Sequence, residues 1–349
     1  MRFYQQQHPF YCGVDLHARS MYLCVLDHEG QTLLHQNYAA DPGAFLAAIA
    51  PFRDGLVVAV ECMFAWYWLA DLCEEHGIPF VLGHALYMKA IHQGKSKNDR
   101  LDAAKIAGLL KGGLLPQGYV YPKARRATRD LLRRRSFLVR RRADLLAHLV
   151  NTNSQYNLPP LHKKLVYPAN RAELDLAARF REPSARKLVE CDLALIDALD
   201  GQIHDLELHL VRTAKVDDAQ AYARLQSIPG VGKILGLVLL YEIHDIGRFP
   251  AAGNFLSYAR LVRPQLQSGG KALGFGNKKI GNAHLRWALG EAACLYLRAS
   301  DRAKRWQART AAKQGPAKTL GILAAKLGRT VYHLLRKREV FDENRFFAS

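Results

Sequence analysis

The chain is 349 residues long, with 50 lysines and arginines against 31 aspartates and glutamates, a formal net charge of +19; 49% of it is hydrophobic. That is enough apolar material to bury cores in two or three domains, which excludes a largely disordered chain. The longest stretch without a charge, residues 145–162, holds Asn, Gln, His and two prolines, which excludes a membrane span, and MRFYQQQHPF lacks the apolar run of a secretory signal, so a cytoplasmic protein is expected.

In chain order, YCGVDLHA, MYLCVLD and TLLHQNYA read as three short strands, with HEGQ as the turn between the last two. A helix is predicted around Pro42 to Pro51, then the buried-type strand LVVAVEC, a helix WYWLADLCEEHG ending at Gly77, and a strand PFVLGHA. The polar stretch QGKSKND leads into a helical LDAAKIAGLL. Strands alternating with helices predict an α/β domain on a mixed sheet over residues 1–122. From Lys123 the apolar pairs Leu131/Leu132, Leu138/Val139 and Leu145/Leu146 recur every seven residues along an arginine-rich helix that NTNSQYNLPP interrupts. A second helical region, about Arg171 to Lys215, carries Ile196, Leu199, Ile203, Leu206 and Leu210 as a heptad seam. Residues 123–222 are therefore expected to form a coiled-coil helical hairpin, packed within one chain or pairing two. Residues 223–349 read as a third, mainly α domain with a Gly-rich loop and a basic helical tail. The fold class expected is α/β plus α. Six cysteines without a C-x-x-C pair (Cys12, Cys24, Cys62, Cys73, Cys191, Cys294) are expected to be reduced, mostly buried thiols.

The charge is unevenly spread. Residues 1–110 and 143–222 each carry −3, residues 111–142 carry +10, and residues 223–349 carry +15. Two concentrated basic blocks point to a polyphosphate partner, nucleic acid first; a basic surface kept only for solubility usually disperses its charge.

Three groups of residues could carry chemistry. Asp15 and Glu61 interrupt apolar strands, where an acid is costly unless it is paired or binds metal, and Asp99 and Asp102 project from one face of a helix start. Carboxylates from a first strand, a later strand and a helix are the pattern of an RNase H-like nuclease, in which two Mg²⁺ ions about 3.5 to 4 Å apart stabilise attacking and leaving oxygens. The alternative is that Asp99 and Asp102 cap a helix while Glu61 ends a strand. Lys95, Lys97 and Arg100 beside these acids are either phosphodiester contacts or solvated loop cations. IPGVG, with Gly230 and Gly232, resembles a helix-hairpin-helix motif that turns N–H groups toward a phosphate; the glycines could equally be helix punctuation. In RPQLQSGGKALGFGNKKIGN, Ser268 precedes two glycines and Lys271, with Lys278 and Lys279 following; S-G-G-K alone is weak evidence for a nucleophile.

Taken in order, GVDLHA, VVAVEC, KSKNDRLDAAKIA, IPGVGKILGLVLLYEI, DIGRFPAAGNFLSYARLV, SGGK and GNAHLRWALGEAA make the chain resemble the insertion-sequence 110 family of DEDD transposases, relatives of the Piv invertases and bridge-RNA-guided DNA recombinases. The resemblance implies a RuvC-like N-terminal domain, with Asp15, Glu61, Asp99 and Asp102 on catalytic Mg²⁺, and Ser268 as a nucleophile that links covalently to DNA. It implies donor and target DNA, a guide RNA and a homo-oligomer, dimer or tetramer, as partners, nucleoid-associated when active. Arg133, Arg134, Arg135, Arg140, Arg141 and Arg142 would then contact nucleic acid, as would the glycines of IPGVG and the lysines of the serine loop. One departure stands out: where the family commonly reads A-G-L-x-P before the serine, this chain has ARLVRP, with Arg260 at the glycine position and Pro264 shifted by one. The competing readings are a RuvC-like nuclease that uses water, leaving Ser268 a loop residue, and a non-catalytic nucleic-acid-binding protein.

Overall fold

The computed structural model describes residues 2–91, 98–161, 163–262, 264–275 and 279–348. The chain divides into two compact units, Met1–Arg126 and Ala127–Ser349, so the predicted helical region and the C-terminal region share the second unit.

In the first unit, apolar runs punctuated by turn residues give β1 (Phe10–Leu16), β2 (Ser20–Asp27), β3 (Thr32–Ala39), α1 (Pro42–Ile49), β4 (Leu56–Glu61), α2 (Trp66–Glu75), β5 (Phe80–Gly83), α3 (Ala85–Ile91) and α4 (Asp99–Lys111). The predicted HEGQ turn closes on the Asp27 carboxylate, which accepts the N–H groups of Glu29, Gly30 and Gln31, with Gly30 at φ +94°. The sheet order is β3-β2-β1-β4-β5, antiparallel from β3 to β1 and parallel from β1 through β4 to β5. Alternation sends Cys12, Val14, Val58 and Val60 to one face, against Phe45, Ile49, Leu69 and Cys73 of α1 and α2. The other face presents Tyr11, Val57, Ala59 and Val81 to Ile106, Leu109 and Leu110 of α4. Gly13 lies on that second face because nothing larger fits: a Cβ there would stand 2.3 Å from the Ala103 carbonyl oxygen and 2.4 Å from the Ala107 nitrogen. The Asn98 side chain caps α4 by accepting the Leu101 N–H.

The second unit is built on α5 (Lys123–Gln155), α6 (Pro168–Ala172), α7 (Leu176–Arg179), α8 (Pro183–Gln226), α9 (Lys233–Ile243), α10 (Ala252–Tyr258), α11 (Ala283–Ala299), α12 (Asp301–Gln314), α13 (Pro316–Lys337) and α14 (Glu343–Ala348), with a hairpin of β6 (Gln265–Ser268) and β7 (Lys271–Phe275). The ion pairs Arg135–Glu207, Arg142–Asp200 and His148–Asp192 step forward along α5 and backward along α8, so the two helices run antiparallel. The seam residues Ile196, Ile203 and Leu210 are buried at seven-residue intervals, with Leu199 and Leu206 half-buried. The helix α5 persists to Gln155 and breaks at Asn157, which takes φ +50° just before two prolines. The second long helix starts at Pro183, preceded by two single-turn helices, and departs from helical geometry only at Asp218. Its C-terminal half joins α9, α11 and α13 in the largest core, centred on Leu237, Tyr241, Leu289, Ala292, Leu323 and Val331.

Two expectations need correction. The Gly-rich loop contains a β-hairpin, because Gly269 (φ +55°) and Gly270 (φ +74°) form the two-residue turn that matches strand twist. Among the cysteines, Cys12, Cys24 and Cys73 are buried, burial pushing the Cys24 thiol up to about 11 and Cys73 to about 12, whereas Cys62 and Cys191 are exposed.

Candidate functional site

The parallel register of β1 and β4 pairs Gly13 with Ala59 and Val14 with Val60, so the next residues, Asp15 and Glu61, are neighbours at the C-terminal ends of adjacent strands. Both lie on the face that α4 covers, two residues beyond Gly13 and Ala59. The close approach of α4 at Gly13 sets its first turn, with Asp99 and Asp102, beside them. Three of the four acids act on one another: the Asp15 carboxyl is held above its ordinary range by burial first, with the charges of Asp99 and Asp102 adding to the shift and His17 opposing it. Asp102 Oδ1 accepts a hydrogen bond from Lys105 Nζ at 3.0 Å.

Sequence reasoning missed His17. Its Nε2 lies 3.5 Å from Asp15 Oδ2 and 3.5 Å from Asp99 Oδ1, and donor atoms of Asp15, His17 and Asp99 all fall within 4.8 Å of one another. The available signal was position: a nitrogen donor two residues after a strand acid, where the strand ends. The donor set suits a divalent cation, because carboxylate oxygens that converge at one point gain from a positive charge between them. Replacing the charge tests this balance. A raised folded-state pKa means that ionised Asp15 costs stability above its unfolded value, about 3.9, and that the cost vanishes once both states are protonated. Asp15→Asn is therefore expected to raise the thermal midpoint in chelator at pH 7 and to lose that advantage near pH 3; melting curves at the two pH values check it.

The basic residues separate into two groups. Arg133 donates from Nε and Nη2 to Glu242 at 2.7 and 2.8 Å, Arg135 donates from Nε to Glu207 at 2.8 Å, and Arg142 pairs with Asp200. These three are spent on holding the second unit together. Arg134, Arg140 and Arg141 are exposed; Arg134 and Arg141 flank the exposed Phe137 ring at 5.4 and 5.0 Å, and Arg141 also reaches Asp144 at 3.2 Å. Arg100 is exposed on the first turn of α4, while Lys95, Lys97 and Lys278 lie outside the described residues.

The two glycines of IPGVG play different parts. Gly230, at φ +88°, is pressed against α11, where a Cβ would meet the Tyr296 nitrogen at 2.6 Å. Gly232 precedes α9 with open space around it. Ser268 ends β6 at the exposed tip of the hairpin, paired in register with the exposed Lys271, and Lys279 is exposed after the hairpin. The departure at Arg260 has a physical reading. Its φ of +56° is a conformation that glycine adopts without cost, and the arginine is held in it by donating to the carbonyls of Ile280, at 3.1 Å, and Lys279. Arg260 thus makes a turn that a glycine could make and anchors the segment after the hairpin.

Comparison with known proteins follows the same division of features. A family model described as "Transposase", of the DEDD IS110 type, matches residues 12–157, which include all four acids, and a model described as "Transposase IS116/IS110/IS902 family" matches residues 222–309, which include IPGVG and Ser268. The transposase for insertion sequence element IS1111A of Coxiella burnetii is 26% identical over 94% of this chain and 90% of its own length. The transposase for insertion sequence element IS1328 of Yersinia enterocolitica is 25% identical over 95% of this chain and 98% of its own length. With one model over the acid-bearing sheet and helix, another over the glycine turn and the serine hairpin, and relatives aligned nearly end to end, the chain belongs to the IS110 family of transposases.

Proposed function

We propose that this transposase cuts and rejoins DNA through a RuvC-like, RNase H-like N-terminal domain and the serine of the β6–β7 hairpin. The observation that carries the reading is the convergence of Asp15, Asp99 and Asp102 on one face of the sheet, with Glu61 adjacent to Asp15 in strand register. Asp15, Glu61, Asp99 and Asp102 would hold divalent ions, Mg²⁺ in the simplest case and two per site. Bound there, such ions withdraw charge from the scissile phosphate and its leaving oxygen. Ser268 Oγ forms the new bond to phosphorus as the bond to the sugar oxygen breaks, and its proton passes to solvent or to a neighbouring base. The phosphoserine ester conserves one phosphodiester bond, so attack by a second DNA end rejoins strands without an external energy source.

The exposed position of Ser268 fits a nucleophile presented outward to DNA, with its remaining partners supplied by another subunit. The antiparallel α5 and α8 are the proposed coiled-coil element of that assembly. The exposed Arg134, Arg140 and Arg141, with Arg100, Lys271, Lys279 and the N–H groups around Gly232, are the proposed phosphate contacts to DNA and to a guide RNA. The test is a denaturing gel of protein incubated with guide RNA, both DNA substrates and Mg²⁺. Wild type is expected to form a protein-linked DNA band that Ser268→Ala and Asp15→Asn both abolish. An adduct surviving in Ser268→Ala overturns the serine, and free cleaved ends without any adduct favour hydrolysis by water.

A further inference from the structure

We infer that His17 is a nitrogen ligand of the acid site, so that the site prefers divalent cations that accept imidazole over Mg²⁺. This rests on reading the acids as a metal site and goes beyond it by naming a fifth donor and the selectivity it confers.

His17 is fixed by its backbone before any ion arrives. It follows directly on β1, its N–H donates to the Ser20 carbonyl at 2.9 Å, and this bond closes the tight connection to β2. The side chain is thereby delivered to the same strand end as Asp15. Its Nε2 stands 3.5 Å from a carboxylate oxygen on β1 and 3.5 Å from another on α4. Those separations exceed the 2.7 to 3.2 Å or so of a well-formed hydrogen bond. Donors that share one ion at about 2.1 Å stand roughly 3 to 4 Å apart, which is the observed spacing. The equal distances to acids from two elements also distinguish His17 from an ordinary partner of one carboxylate. Lys105 Nζ donates to Asp102 Oδ1, and the acids that His17 Nε2 faces are Asp15 and Asp99.

Imidazole is a borderline donor that contributes little to Mg²⁺ and more to Mn²⁺, Co²⁺ and later ions. Among oxygen donors it shifts the order of affinities without closing the site to Mg²⁺. The probe is Mn²⁺, bound to the full chain without DNA. Pulsed electron paramagnetic resonance of the bound ion reads nitrogen coupling directly, and titration calorimetry reads affinity for Mn²⁺ and Mg²⁺ separately. Wild type is expected to show nitrogen modulation that disappears in His17→Gln, with Mn²⁺ affinity lowered by about tenfold or more and Mg²⁺ affinity nearly unchanged. His17→Ala repeats the comparison, and circular dichroism confirms that each variant is folded. Bound Mn²⁺ without nitrogen coupling, or coupling that persists in His17→Gln, overturns this inference and leaves the acid site standing. A folded wild type that binds neither ion overturns the metal site itself.

Discussion

Gly13→Ala is expected to destabilise the first unit by about 3 kcal/mol and to abolish activity with all four acids still in place. A methyl there would run into the backbone of α4: the Ala103 carbonyl oxygen at 2.3 Å, the Ala107 nitrogen at 2.4 Å and the Ala107 Cα at 3.0 Å. Backbone cannot swing aside as a flexible side chain can, so α4 must lift from the sheet. Lifting it withdraws Asp99 and Asp102 from Asp15 and uncovers Tyr11, Val57 and Ala59. Gly108→Ala on the same helix is the control: nothing beyond its chain neighbours and the backbone of its own helix lies within 4 Å of its Cβ position, and replacing a helical glycine contributes about 0.5 to 1 kcal/mol of stability. Urea unfolding of the three proteins, alongside the adduct gel, checks both halves. Equal stability of Gly13→Ala and wild type would mean that α4 does not sit where the structure puts it.

Arg133→Ala is expected to cost about 2 to 3 kcal/mol, somewhat less than loss of a fully buried partner because the Arg133 side chain is 37% exposed. Glu242 is 3% exposed and accepts from Arg133 through both oxygens and from Asn282 Nδ2 at 2.7 Å. Burial alone would raise its carboxyl; the Arg133 and Asn282 hydrogen bonds and the Arg133 charge outweigh that and hold it below the ordinary range. The pair therefore stabilises above the unfolded carboxyl value, about 4.3, and its contribution is lost as pH falls through the lower folded value. Without Arg133, burial dominates and the sign reverses. The variant is expected to lie furthest below wild type at pH 7 and to approach it toward pH 4. Replacing both partners with apolar residues of similar volume is expected to recover much of the loss. Denaturant midpoints across that pH range decide it; a deficit that does not change with pH would show that Glu242 is not left charged.

The strands and helices through residue 111, except α3, were legible in the sequence because their apolar runs are short and bounded by Gly, Pro and acids. The four acids were legible for a related reason: each stands where the local pattern asks for something apolar or for a cap. Net charge was harder to read, since it cannot separate Arg133, spent on a carboxylate far along the chain, from its exposed neighbour Arg134. The hairpin around Gly269 was overlooked although two glycines between short alternating runs are its local signature. His17 was passed over for a different reason: its place after Asp15 was visible, but its interest depends on Asp99, which only tertiary folding brings near. The positive φ at Arg260 likewise belongs to a turn whose geometry the side chain does not announce.

The docking of α4 at Gly13 also fixes when the acid site comes into existence during synthesis. Asp15 and Glu61 can enter paired strands once β4 has emerged, but the helix that covers their face is encoded after β5. Until it arrives, the nascent sheet exposes Tyr11, Val57, Ala59 and Val81, a surface that invites chaperones or premature association. Burial of that face and delivery of Asp99 and Asp102 are then a single event. A chain interrupted before α4 keeps all five strands but has one face of the sheet bare and two isolated acids, so truncation there removes the site and exposes that face together.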